Sequence, residues 1–259
     1  MHHLENTLLF CLGLFVAIML ALEAGRVAGI AFRRRHPGES PEGSGAAEGA
    51  VFALLGLLIA FTFSGAAERF EERRHLIAEE ANDIGTAWLR LDLLQPEAQP
   101  SLRDSFRRYL DLRIDTFRHA EDAETTASLL AESAVMQERI WRSAVEATRL
   151  PGSHPDAAKL LLPSLNEMID ITTTRQVATR NHPPVAIYLM LAGLGITAGL
   201  LIGYELSGRR HRPWLHILVF GVVMGATLYV ILDLEYPRLG LIRIDGADQV
   251  LIDLRSGMD

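Results

Sequence analysis

The chain has 259 residues, 49% hydrophobic and 22% charged, with a mean hydropathy of +0.17. A formal charge of −7 without a basic stripe excludes nucleic acid as a partner. A single cysteine, Cys11, excludes an intrachain disulfide. All but one of the 25 basic residues are arginine, Lys159 being the exception. That bias suits ion pairs that stay charged when partly buried, and genome composition alone produces it too. Charges are sparse in 6–22, 50–67, 184–204 and 214–232 and dense from 68 to 182. The segregation predicts an all-α membrane protein with four transmembrane helices and a helical aqueous domain inserted between spans two and three. The expected divisions are 1–67 for spans one and two, 68–183 for the aqueous domain, 184–235 for the hairpin of spans three and four, and 236–259 for a C-terminal tail.

Span one covers about residues 6–22 and continues toward Arg33, Arg34 and Arg35. No basic segment precedes it and no small-residue cleavage site follows, so it does not read as a signal peptide. Glu23 and Arg26 share a helix face and can pair. Residues 36–49 are rich in Gly, Pro and Ser and predict a loop. Span two, 50–67, is near the lower limit of roughly 17 residues for a spanning helix. No proline separates it from the charged amphipathic stretch that follows. The stripe Phe70, Ile77, Ala81, Ile84, Trp88, Leu91 keeps the helical period and predicts one continuous helix to about Gln95.

A second helix is expected to open with a capping box at Ser101–Asp104. A third covers 123–150 and stops at Pro151-Gly152, and a fourth runs from Pro155-Asp156 to Arg180. In span three, 185–204, Gly195, Gly199 and Gly203 fall on one face. In span four, 214–232, Gly221 and Gly225 repeat that spacing. Small residues so placed permit close helix approach in lipid, so spans three and four are expected to pack on each other. His216 in span four is expected to hydrogen-bond a neighbouring helix. Two short apolar stretches flanking Asp245-Gly246 predict a small hairpin in the tail.

The run LLGLLIAFTFSGAAERFEERR carries Leu54-Leu55-Gly56, Phe61, Ser64-Gly65-Ala66, Glu68-Arg69 and Phe70 in order. It resembles the bestrophin family, and the order of elements agrees: two spans, a helical block, two spans, a tail. The stretches TAWLRLDLL, LNEMIDITTTR and DLEYPRLGLI are similar to the bestrophin-like membrane proteins of unknown function. The chain departs from bestrophins at Thr62, where they carry Arg, and at Phe70-Glu71, where they carry two aromatics. No acidic run resembles the calcium clasp, so calcium gating is not implied.

The resemblance implies a homo-oligomer, pentameric in the family, with helix two around a central pore that passes inorganic ions. Ala53, Leu57 and Phe61 would form its apolar neck, a constriction that gates by dewetting; by periodicity alone they are ordinary packing surface. Glu68, Arg69 and Arg73 would form a charged collar at the membrane exit, either an electrostatic vestibule or glue between subunits. Asp233, Glu235 and Arg238 form a motif where span four leaves the membrane, bonding arginines of the middle helices or holding a cation or proton. The partners are therefore the lipid bilayer and further copies of the chain, and the expected location is the inner membrane of a bacterium. The alternative is a non-conducting scaffold or sensor coupling the helical domain to the membrane.

No Gly-rich phosphate loop, Cys/His metal spacing or nucleophile motif is present, so neither an enzyme, a cofactor nor a metal site is expected. Topology has two readings. Bestrophins keep the helical block cytoplasmic, whereas Arg33–Arg35 and Arg209, Arg210 and Arg212 would place the opposite side inward by the charge rule.

Overall fold

The computed structural model describes residues 2–36, 44–208 and 213–258. Eight α-helices lie among them: α1 (His2–Arg35), α2 (Ser44–Arg90), α3 (Gln99–Arg118), α4 (Ala123–Ala147), α5 (Ala157–Arg180), α6 (Val185–Leu206), α7 (Trp214–Glu235) and α8 (Gln249–Ser256). Single 3₁₀ turns cover Leu91–Leu93 and Asp245–Asp248, and the described residues contain no strand. Stretches long and apolar enough to cross a membrane lie within Thr7–Arg35, Gly45–Leu93, Ala157–Leu206 and Trp214–Glu235. The all-helical, four-span expectation therefore stands.

Several local expectations are corrected. The loop expected to run to residue 49 is helical from Ser44, because Ala46, Ala47, Glu48 and Ala50 outweigh Gly45 and Gly49 in helix propensity. Residues 37–43 of that loop, with Arg209, Arg210 and Arg212, lie outside the described residues. The capping box at Ser101 does not form. α3 begins earlier, at Gln99, with Pro100 in its first turn, where proline's fixed φ favours initiation, and Ser101 only donates to the Ala98 carbonyl at 3.4 Å. A side-chain cap occurs instead on α4, where Asp122 accepts from the Glu124 and Thr125 amides at 3.1 and 3.2 Å. His216 is exposed on the first turn of α7 and has no hydrogen-bond partner among the described residues, so it bridges no helices in this chain.

The chain divides into two units, Met1–Glu68 with His182–Tyr236 and Arg69–Asn181 with Pro237–Asp259. In the first, Leu14, Ile18 and Leu22 of α1 meet Leu55 of α2, Leu191 and Ala198 of α6, and Met224 and Leu228 of α7. α1 and α6 come close enough that each needs glycine. A Cβ on Gly25 would collide with the Leu200 carbonyl, and one on Gly203 with the Leu22 carbonyl. Gly221 of α7 is covered by Phe15 and Met19, again from α1. The glycine faces of spans three and four thus turn mainly to α1 and not to each other, which corrects the expected hairpin packing. Glycine spacing encodes close approach, and Gly25 and Gly29 make α1 the helix that can accept it.

In the second unit, Ile77, Ile84 and Leu91 share a core with Phe106, Tyr109 and Leu110 of α3, Ile140 of α4, and Leu161, Leu165 and Met168 of α5. The tail joins this core through Ile244, Leu251 and Met258, each at most 5% exposed. These three are seven residues apart, two helical turns, and the expected hairpin is replaced by the 3₁₀ turn and α8. Asp245-Gly246 opens that helical segment instead of reversing a strand pair.

Candidate functional site

α2 is one uninterrupted helix. Ala53, Leu57 and Phe61 are exposed, Leu57 by 53% and Phe61 by 68%. At four-residue steps they cover an arc of ~80° over roughly 12 Å of axis. Their exposure places them outside the packing surface of this chain, which uses Leu55 and Ala66 from other faces. Further along the helix Glu68, Glu72, His75 and Glu79 are exposed in phase with Phe61.

The three collar residues do not share a face. Glu68 is exposed and Arg69 half-buried. Arg73 is 6% exposed and points into its unit, donating to the carbonyls of Ala178 at 3.1 Å and Asn181 at 3.0 Å. Those carbonyls end α5, where the helix leaves oxygens unpaired and a cation is favoured. Arg74 is exposed and pairs with Glu71 at 2.8 Å. Glu68, Glu72 and Glu79 form no ion pair among the described residues, so the exposed stripe is acidic.

The tail motif falls in both units. In the first, Asp233 and Glu235 are buried at 3% and 1%. Tyr229 donates to Asp233 at 3.2 Å, and His182 approaches Glu235 at 3.4 Å while stacking on Tyr236. In the second, Arg238 forms a two-pronged pair with Asp248 at 2.7 and 2.9 Å. Its guanidinium also lies 4.7 Å from the centre of the Phe117 ring.

Phe117 belongs to an arrangement that the sequence reading missed. Glu80, fully buried, bonds Arg113 Nε at 2.6 Å and also Arg175 Nη1. The Arg113 and Arg175 guanidinium carbons lie 5.2 and 4.1 Å from the Phe117 ring centre. Three cations therefore gather on one aromatic ring. Burial pushes Arg175 down to about 9, helped by neighbouring Arg238 and opposed by Asp248, so it stays charged at neutral pH. Burial lowers Arg113 as well. The signal was present in the phase: Glu80 follows Ile77 by three residues and precedes Ile84 by four, so it lies on the core face of α2.

Among the described residues no three His, Cys, Asp or Glu side chains converge as metal ligands. Residues 15–248 match the profile of the family described as a bestrophin-like domain. The chain belongs to the bestrophin-like family. Two crystal structures of variants of a bacterial bestrophin homologue from Klebsiella pneumoniae superpose with TM-scores of 0.67 at 14% and 15% identity. They cover 94% and 95% of this chain and 99% and 98% of theirs. A third similar crystal structure, described as a membrane protein, gives 0.66 at 14% identity, covering 93% of this chain and 95% of its own. At such identities the likeness shows a shared fold. No curated protein matches the chain in sequence. Bestrophin-like membership and the four helices long and apolar enough to cross a bilayer identify an integral membrane protein.

Proposed function

We propose that the bestrophin-like chain is an oligomeric ion channel of a bacterial inner membrane, its pore lined by α2 with Ala53, Leu57 and Phe61 as the neck. The observation that carries this reading is the apolar strip of Ala53, Leu57 and Phe61, left exposed on the side of α2 away from the buried Leu55 and Ala66. A ring of α2 helices, pentameric by family resemblance, covers that apolar strip on its axis and leaves a narrow dry constriction. Closed rotational symmetry is what such a pore requires. Arg73 is turned away and Arg74 is neutralised by Glu71, so Glu68, Glu72 and Glu79 give the wider part of the lining a negative field that favours cations.

Purified protein reconstituted in liposomes tests this reading. Phe61→Ala raises ion flux over wild type, and Glu72→Gln with Glu79→Gln lowers the cation-to-anion permeability ratio. Oligomer mass in mild detergent is the companion measurement. A stable monomer or dimer, or wild type and Phe61→Ala both silent across ions and pH, refutes the channel and favours a scaffold or sensor.

A further inference from the structure

The C-terminal end of α1 carries chemistry that ion conduction does not use. From Leu8 to Phe32 the helix is apolar except at Glu23 and Arg26, and it then ends in Arg33, Arg34 and Arg35. All three are exposed and form no ion pair among the described residues. Val27, one turn and a half before them, is 58% exposed, so the outer surface there is apolar up to the arginines. α6 ends at the same level: Tyr204 lies 6.3 Å from Phe32, centre to centre, and Ser207 accepts a hydrogen bond from Arg33 Nε at 3.1 Å. An aromatic pair followed at once by cations is the order of groups expected where hydrocarbon gives way to headgroups.

One detail points to an anionic ligand. Arg33 is held in place by Ser207 and by the backbone at Gly208, where a Cβ would meet its guanidinium at 2.9 Å, yet its terminal nitrogens have no acidic partner there.

We infer that this end of the membrane unit binds anionic phospholipid, with headgroup phosphates around the helix end taken by Arg33, Arg34 and Arg35. Guanidinium matches phosphate with paired N–H groups, and an anionic headgroup adds the net charge that a zwitterionic one lacks. Each arginine at an anionic surface contributes about fivefold in affinity.

The test uses the delipidated full chain in mild detergent, titrated with phosphatidylglycerol or phosphatidylcholine. Bound lipid is counted by native mass spectrometry and thermal stability is followed in parallel. Wild type is expected to hold phosphatidylglycerol at least ~10-fold more tightly than phosphatidylcholine. The triple variant Arg33→Gln, Arg34→Gln, Arg35→Gln should fall to within about twofold. If that variant misassembles, Arg34→Gln with Arg35→Gln, which removes no bond among the described residues, should still lower the preference several-fold. Equal binding of the two lipids by wild type, or an unchanged preference in the variants, overturns the assignment. Stabilisation by inorganic phosphate equal to that by phosphatidylglycerol also overturns it, because a free-anion site would then explain the effect.

Discussion

Replacing Glu80 by alanine should be among the most damaging single changes in the second unit. Its carboxylate is fully buried between Arg113, whose side chain is 2% exposed, and Arg175, 10% exposed. Both guanidinium groups sit against Phe117, so neither can turn to water without unpacking α3 or α5. Removing the acid leaves two like charges in a low-dielectric interior. Breaking a buried pair in this way costs about 3–5 kcal/mol. For a protein of this size that corresponds to a fall in Tm on the order of 10 °C, read by differential scanning fluorimetry in detergent. The triple replacement Glu80→Leu, Arg113→Met, Arg175→Met removes both the charges and their desolvation cost, and should recover much of the loss. The distinctive outcome is non-additivity, with the triple variant more stable than Glu80→Ala alone. A Tm for Glu80→Ala within about 2 °C of wild type, or a triple variant no more stable than the single one, would refute the account.

Gly203→Ala should separate α1 from α6 at the Leu22 carbonyl and lower stability by about 1–3 kcal/mol, whereas Gly193→Ala, which meets nothing within 4 Å, should be neutral in the same thermal assay. Asp83 is pushed up to about 6 by partial burial and by Glu79 and Glu167. A carboxyl raised on folding binds its proton more tightly in the native state, so its destabilising effect is greatest at neutral pH and fades as pH falls from above 6 toward 4. Asp83→Asn should therefore raise Tm at pH 7.5 and have less effect at pH 4.5. Leu251→Ala empties the fully buried site that holds α8, with an expected cost of about 2–5 kcal/mol. Limited proteolysis should then cut within the tail after Pro237 faster than in wild type, and unchanged tail protection would argue against that anchor.

The helices were legible because their signals are local. The start of α7 at Trp214 after Pro213, the continuity of α2 and the four apolar runs follow from composition and period. Partnership between helices was harder to read. Gly199 and Gly203 announce a close neighbour, but only the backbone of α1 at Leu22 and Gly25 identifies which one. The tail was misread because Asp245-Gly246 is a strong turn signal, while the seven-residue spacing of Ile244, Leu251 and Met258 is faint in so short a segment. Arg73 reads as part of an exposed collar by residue type, yet it stands, like the buried Glu80, in phase with Ile77 and Ile84. Periodicity outranked polarity in this helix, because each charge found a partner inside.

An α2 of 47 residues without a break runs about 70 Å, more than twice the thickness of a hydrocarbon core. In such a helix, rotational phase is inherited by every residue downstream. One residue inserted after Phe61 would turn Ile77, Glu80 and Ile84 by roughly 100° relative to the neck, whereas a seven-residue insertion would turn them by only about 20°. Length variation between Phe61 and Ile77 should thus be tolerated in steps of seven and rejected in steps of one. The helix behaves as a ruler whose graduations are angular as well as linear.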